Sequence, residues 1–199
     1  MGAPGLSAEP RLVRDRPAQQ ALVLAFARAR PEALLLDATT PALLDVFSGK
    51  TLPLDWARID TVAEARNRDS GAPYLALLRD DGRQVILADV GIAFAPSVAG
   101  SGPLPGLPSV VCFRDFAATV ARIEHLLVDH PGEPVTRDHL DLFLFLVALV
   151  DGAREVGFDV GREERRLERI LGEIEARSAG AGDDDGADDE PGGEGPGPA

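Results

Sequence analysis

The sequence predicts an α+β domain, a small antiparallel sheet packed with helices, and three observations carry that expectation. Between Arg58 and Phe94 the apolar residues fall into strand-length segments around the hairpin pair Asp81-Gly82. Upstream, Leu22, Phe26 and Ala29 recur at helical spacing; downstream, Phe116, Val120, Ile123 and Leu127 do the same.

Taken in order, residues 1–16 read as a flexible leader, because no continuous apolar segment follows a basic start. A single domain is expected over 17–178. Its first helix spans about 17–30, with Pro17 in the first turn, where a missing N–H is harmless. Pro31 restricts the residue before it, so PEALLLDA is expected as a short helix or a kinked continuation. Thr40-Pro41 followed by ALLDVFSG has the marks of another short helix, with Thr40 as cap, Pro41 at the first position and Gly49 closing it. A meander of three strands follows over 58–94. In the last of them Ile86, Ala88, Val90, Ile92 and Phe94 are expected on one face, and Val85, Leu87, Gly91, Ala93 and Ala95 on the other. Pro96 to Pro108 is a Pro/Gly-rich loop, and SVVCF at 109–113 is a candidate fourth strand.

The C-terminal part is expected as three helices. The first covers about 114–129. The second covers 137–156, is capped by Thr136 and ends near Gly157, with Val135 and Leu140 placed as a hydrophobic staple. It holds LFLFLVALV, nine residues where a membrane span needs roughly 20, so it is expected in the core or at a subunit contact. The third covers about 161–177, with Leu167, Ile170, Leu171 and Ile174 on one stripe. From 179 to 199 no apolar residue larger than alanine occurs, so an acidic, Gly/Pro/Asp-rich disordered tail is expected.

Composition narrows the function. The net charge of −13 argues against binding nucleic acid or an anionic membrane, both of which reward Lys and Arg. Seven acidic residues lie between Asp183 and Glu194, which leaves 26 acidic against 20 basic residues elsewhere; the tail can contact a basic partner. One cysteine, Cys112, forbids an internal disulfide and fits a reducing, cytoplasmic setting.

The motifs are sparse. Gly49-Lys50-Thr51 matches the end of a phosphate-binding loop, and Lys50 is the sole lysine. The pattern fails at Leu44, where its first glycine belongs, and Leu52-Pro53 blocks the helix that should follow. Cys112 and the histidines His125, His130 and His139 could serve an enzyme, but no elbow or ligand spacing organises them. The meander carries Arg58, Arg66, Arg68, Arg79 and Arg83, and N-R-D-S-G followed by LADVGIAF partly resembles the PilZ barrels, which bind cyclic dinucleotides through arginines. The resemblance lacks the R-x-x-x-R of that family, and Gly71 follows Ser70 at once, so membership is not assigned.

The expected function is therefore a non-catalytic cytoplasmic protein-interaction or regulatory module that self-associates. Phe143, Phe145, Leu167, Ile170, Leu171 and Ile174 are its candidate contacts. The alternative is a small-molecule or nucleotide sensor using Arg66 and Arg68, and a second alternative is an enzyme using Cys112 or the histidines. No catalytic, cofactor or metal residue is assigned.

Overall fold

The computed structural model describes residues 6–37, 39–95, 110–128 and 135–180. The loop expected at 96–108, the tail beyond 180, and Asp129 and His130 lie outside the described residues. The fold is α+β, with four helices, an antiparallel sheet of six strands and a second sheet of three.

The segment read as a leader contains a strand, β1 (Leu6–Val13). It pairs antiparallel with β5 (Ile59–Asn67), with a register break between Ser7 and Arg11. Pro10 sits inside that break, where a residue without an N–H costs no ladder bond. Helix α1 (Arg16–Arg28) starts where expected, with Asp15 as cap: its carboxylate accepts from the Ala18 N–H at 3.1 Å. Gln19, Val23, Phe26 and Ala27 form its buried face. The Gln19 side chain donates to the carbonyls of Val13 (3.2 Å) and Asp60 (2.9 Å), tying α1 to β1 and β5.

The two short helices expected next are strands. β2 (Leu34–Leu36), β3 (Ala42–Asp45) and β4 (Lys50–Pro53) form the second sheet. Leu36, Leu43 and Leu52 stand side by side in register. Leu34, Leu43 and Leu52 are at most 2% exposed, whereas Leu35 on the opposite face is 43% exposed, which is the period of two of a half-buried strand. The Thr40-Pro41 signal belongs to a turn: Asp37 Oδ1 accepts from the N–H groups of Thr39 (2.7 Å) and Thr40 (3.3 Å). Gly49, at φ 67°, closes the β3–β4 hairpin rather than a helix.

The meander is longer than expected. β5, β6 (Pro73–Arg79), β7 (Gln84–Ala88) and β8 (Gly91–Phe94) run in order, and the expected Asp81-Gly82 turn joins β6 to β7. The single strand predicted over 85–95 is a hairpin folded at Asp89-Val90, which pairs Ala88 with Gly91 and Val85 with Phe94. The fold-back reverses the expected faces: Ile92 and Phe94 join Val85 and Leu87 in the main core, while Ile86 and Ala93 lie in a second cluster with Tyr74. β9 (Val111–Cys112) adds the candidate fourth strand as a short pairing on β8.

Helices α2 (Phe113–Val128), α3 (Arg137–Val156) and α4 (Gly161–Gly180) fall where the pattern put them. Thr136 and His139 make a capping box at the head of α3, and Gly157 ends it in the left-handed conformation. The main core lies between one face of the large sheet, the second sheet and these helices. At its centre Phe113 stacks on Phe116 and Phe158, with the Phe113 and Phe158 centroids 3.6 Å apart, and Phe94 meets Phe113 tilted and Phe116 edge-on. Among the described residues no helix is long and apolar enough to cross a membrane.

Candidate functional site

The antiparallel register sorts the arginines of the meander into two groups. Arg66 pairs with Pro73 and Arg68 lies in the β5–β6 turn, at one end of the sheet. Both are exposed, and Arg66 donates to the Gly71 carbonyl at 3.1 Å. Arg58, Arg79 and Arg83 are at the other end, because Ile59 pairs with Arg79 and the Asp81-Gly82 turn brings Arg83 back beside them.

These three guanidinium groups converge on one carboxylate. Asp81 Oδ2 lies 3.2 Å from Arg79 Nη2 and 3.1 Å from Arg83 Nη1, and it also receives Arg58 Nη2. The Arg83 backbone N–H donates to Asp81 Oδ1 at 3.1 Å. Burial pushes the Asp81 carboxyl up, but that N–H, the Arg79 charge, the Arg83 side chain and the Arg58 charge outweigh it and hold it below the usual range. Arg58 Nε also lies 3.6 Å from Asp80 Oδ1, and Arg83 Nη2 lies 2.6 Å from Glu155 Oε1 on α3, so the turn is ion-paired to a helix of the core.

Arg79 is the unusual member. Its side chain is 10% exposed, and its Nε and Nη2 donors, although buried, make no hydrogen bond; Nη2 is near Asp81 but not aligned with it. Nη2 is ion-paired to Asp81, and Nε is a buried donor that one water in the adjoining recess can satisfy. Arg58 and Arg79 line a pocket whose walls include Leu52, Leu54, Ile59, Leu77, Val85 and Val156, with Asp55 on its rim. Its cavity volume is about 20 Å³, room for about one water molecule. Chemically, it is a narrow, mostly apolar recess bordered by two arginines that are ion-paired to Asp81.

The other sequence candidates do not share a site. Phe145, Ile170 and Ile174 are buried in the core of this chain, and Phe143 and Leu167 pack against it; Leu171 is 42% exposed. Cys112 is half-buried, and burial raises its thiol pKa against the partial opposition of Arg114. His139 serves the cap of α3, with Nδ1 accepting from the Thr136 N–H at 3.0 Å. His125 lies on α2. No three potential metal ligands cluster among the described residues. Lys50 donates to the Asp159 carbonyl at 2.5 Å and lies 3.7 Å from the buried carboxylate of Glu163, so it fastens the second sheet to α4.

The relevant signal was in the sequence. Two arginines flank a hairpin turn at Arg79 and Arg83, and a third precedes the neighbouring strand; once the register is known, the three must meet. Comparison of the chain with protein-family models, with curated proteins and with solved structures returns no match.

Proposed function

We propose that the chain is a non-catalytic cytoplasmic regulatory module that binds a small anionic ligand at the Arg58–Arg79 end of the meander. The observation that carries this reading is the nine-tenths-buried Arg79 side chain, whose Nε meets no protein acceptor and whose Nη2 is ion-paired to Asp81 at 3.2 Å without hydrogen-bond alignment, beside a narrow apolar recess. An acceptor placed there would satisfy both donors in a site that shields them from water, where a charge-assisted hydrogen bond contributes most. The regulatory element of the reading rests on Arg83, which joins the turn beside the pocket to Glu155 of α3. An anion that competes with Asp81 for the arginines would alter that connection.

Thermal unfolding of the full chain against a panel of inorganic and organic anions tests the proposal. A saturable rise in Tm with at least one anion is expected, removed by Arg79→Met and kept in the Arg66→Ala/Arg68→Ala variant. An unchanged Tm across the panel rejects it.

A second reading, self-association, is favoured by Leu140 and Leu144. They lie one turn apart on α3 and are 46% and 51% exposed.

A further inference from the structure

We infer that α4 is a releasable helix and that the charge of Lys50 is the latch that keeps it docked. Neutralising that amine frees the helix as a unit, while the sheets and the other helices stay folded. The latch uses none of the arginines around Asp81.

Helix α4 buries little of itself. Along its described side chains only Glu163, Ile170 and Ile174 are buried, with Leu167 partly covered, whereas α3, of the same length, buries eight residues. Much of its remaining hold on the body is ionic: Arg166 and Arg169 reach Glu124 of α2, and Glu164 receives Arg154 of α3 at 2.9 Å. Arg154, Glu164 and Arg169 are all more than a third exposed, and pairs open to water contribute little. Towards its other end Arg177 donates to the Leu127 carbonyl at 2.6 Å. The chain just before the helix is anchored, since Phe158 and Val160 are 3% exposed and Phe158 stacks on Phe113. Release therefore starts at Gly161, the first residue of α4.

Lys50 holds that point. Its Nζ lies 3.7 Å from Glu163 Oε2 and donates to the Asp159 carbonyl, so one ammonium grips both the first turn of α4 and the chain leading into it. The Glu163 side chain is 6% exposed and its Oε2 accepts no hydrogen bond, which leaves Lys50 as its balancing charge. A buried carboxylate stripped of its partner is strongly destabilising, because the interior does not solvate it. With so little apolar surface holding α4, that carboxylate regains water most readily by undocking the helix. Lys50 is a third exposed and is the sole lysine of the chain, so chemistry directed at lysine amines meets this latch and no other.

Hydrogen exchange of the full chain, read by mass spectrometry on peptides from α4 and α3, tests the latch. In the unaltered chain α4 is expected to exchange at least about tenfold faster than α3. Lys50→Met should speed α4 by about another tenfold and leave α3 unchanged, because it strands the Glu163 carboxylate. Lys50→Arg keeps the charge, and Lys50→Met/Glu163→Met removes the stranded carboxylate; both should hold α4 within about threefold of its original rate. Should Lys50→Met not fold, Glu163→Gln gives a second test: with the buried charge gone, α4 is again expected within about threefold of its original rate. An α4 that exchanges no faster than α3, or that is unmoved by Lys50→Met, overturns the latch. An equal rise in α3 also overturns it, because stability would then be lost throughout. A fast α4 in the double variant or in Glu163→Gln does the same, since the hold would then lie in the Asp159 contact or in packing and not in the charge.

Discussion

At the residue scale the buried carboxylate of Asp45 shows how one side chain joins two sheets. Asp45 is 0% exposed at the end of β3, and its oxygens accept from the Ile92 N–H of the large sheet at 2.7 Å and from the Ser48 N–H of its own hairpin at 2.8 Å. Replacing it by alanine leaves both donors without that acceptor, and a buried unsatisfied group costs about 1–3 kcal/mol. Asp45→Ala should therefore lower the stability of the chain by about that amount in urea unfolding, and Asp45→Asn by less, since one acceptor oxygen remains. A loss below about 0.5 kcal/mol for alanine, within the usual range for a surface change, would remove this residue's role. Asp37 is the exposed counterpart. The hydroxyl of Thr39, its N–H and the hydroxyl of Thr40 hold its carboxyl down at about 2 from an ordinary 3.8. Because the folded value is depressed, the stabilisation is complete above the ordinary value and disappears as pH falls through about 2. A carbon-detected titration of Asp37 should show a midpoint near 2, moving up in Thr39→Ala; a midpoint near 3.8 would contradict the turn geometry. Neither role was legible in sequence, where an aspartate near a turn announces no partner 47 residues away.

At the element scale the sequence reading divided by type of signal. α1, α2 and α4 were legible because each had an apolar stripe at helical spacing, and α3 because its long apolar run was preceded by a cap at Thr136 and followed by Gly157. PEALLLDA and ALLDVFSG were misread for the opposite reason. Leucine and alanine are strong helix formers, three or four residues are too few to separate one period from the other, and pairing across three strands overrode the propensity. The β7–β8 hairpin was missed because Asp89-Val90 is a weak turn signal; the deciding residue is Gly91, at φ 96°. A Cβ there would lie 2.5 Å from Asp45 Oδ2, whereas one at Gly82 meets nothing within 4 Å. Gly91→Ala should therefore be more destabilising than Gly82→Ala, which carries only the cost of its positive φ, about 1–2 kcal/mol. The gap should narrow in an Asp45→Ala background, because the clashing oxygen is gone, and a double-mutant cycle in urea reads the coupling directly. Additive effects would mean that the two residues do not meet. The candidate site shows the same division, since the arginines could be counted in the sequence but only strand register revealed which of them converge.

At the scale of the whole molecule, the second sheet changes what α3 needs. Read as the neighbour of one small sheet, a helix apolar on nearly all sides calls for a partner subunit. In the structure Phe145, Leu146, Leu149, Val150 and Ala153 are all at most 3% exposed, enclosed within their own chain. Leu126 on α2 and Leu171 on α4 are exposed, as are Leu12, Leu35, Val46 and Phe47 elsewhere; on α3 itself the apolar surface left for a partner is thus in the first half of the helix, at Leu140 and Leu144. Fully burying a leucine stabilises by about 1.5–3 kcal/mol, and these two are already half covered, so together they can add on the order of 2 kcal/mol to an interface. That is a modest contribution, suited to a weak dimer whose population depends on concentration. Light scattering coupled to gel filtration is expected to show the mass rising towards twice the chain mass with concentration. Leu140→Glu/Leu144→Glu should hold it at the monomer without changing the circular dichroism spectrum, because neither side chain is in the core. A monomer at every concentration would dismiss self-association and leave the Arg79 pocket, at the far end of α3 beside Val156, as the remaining basis for function.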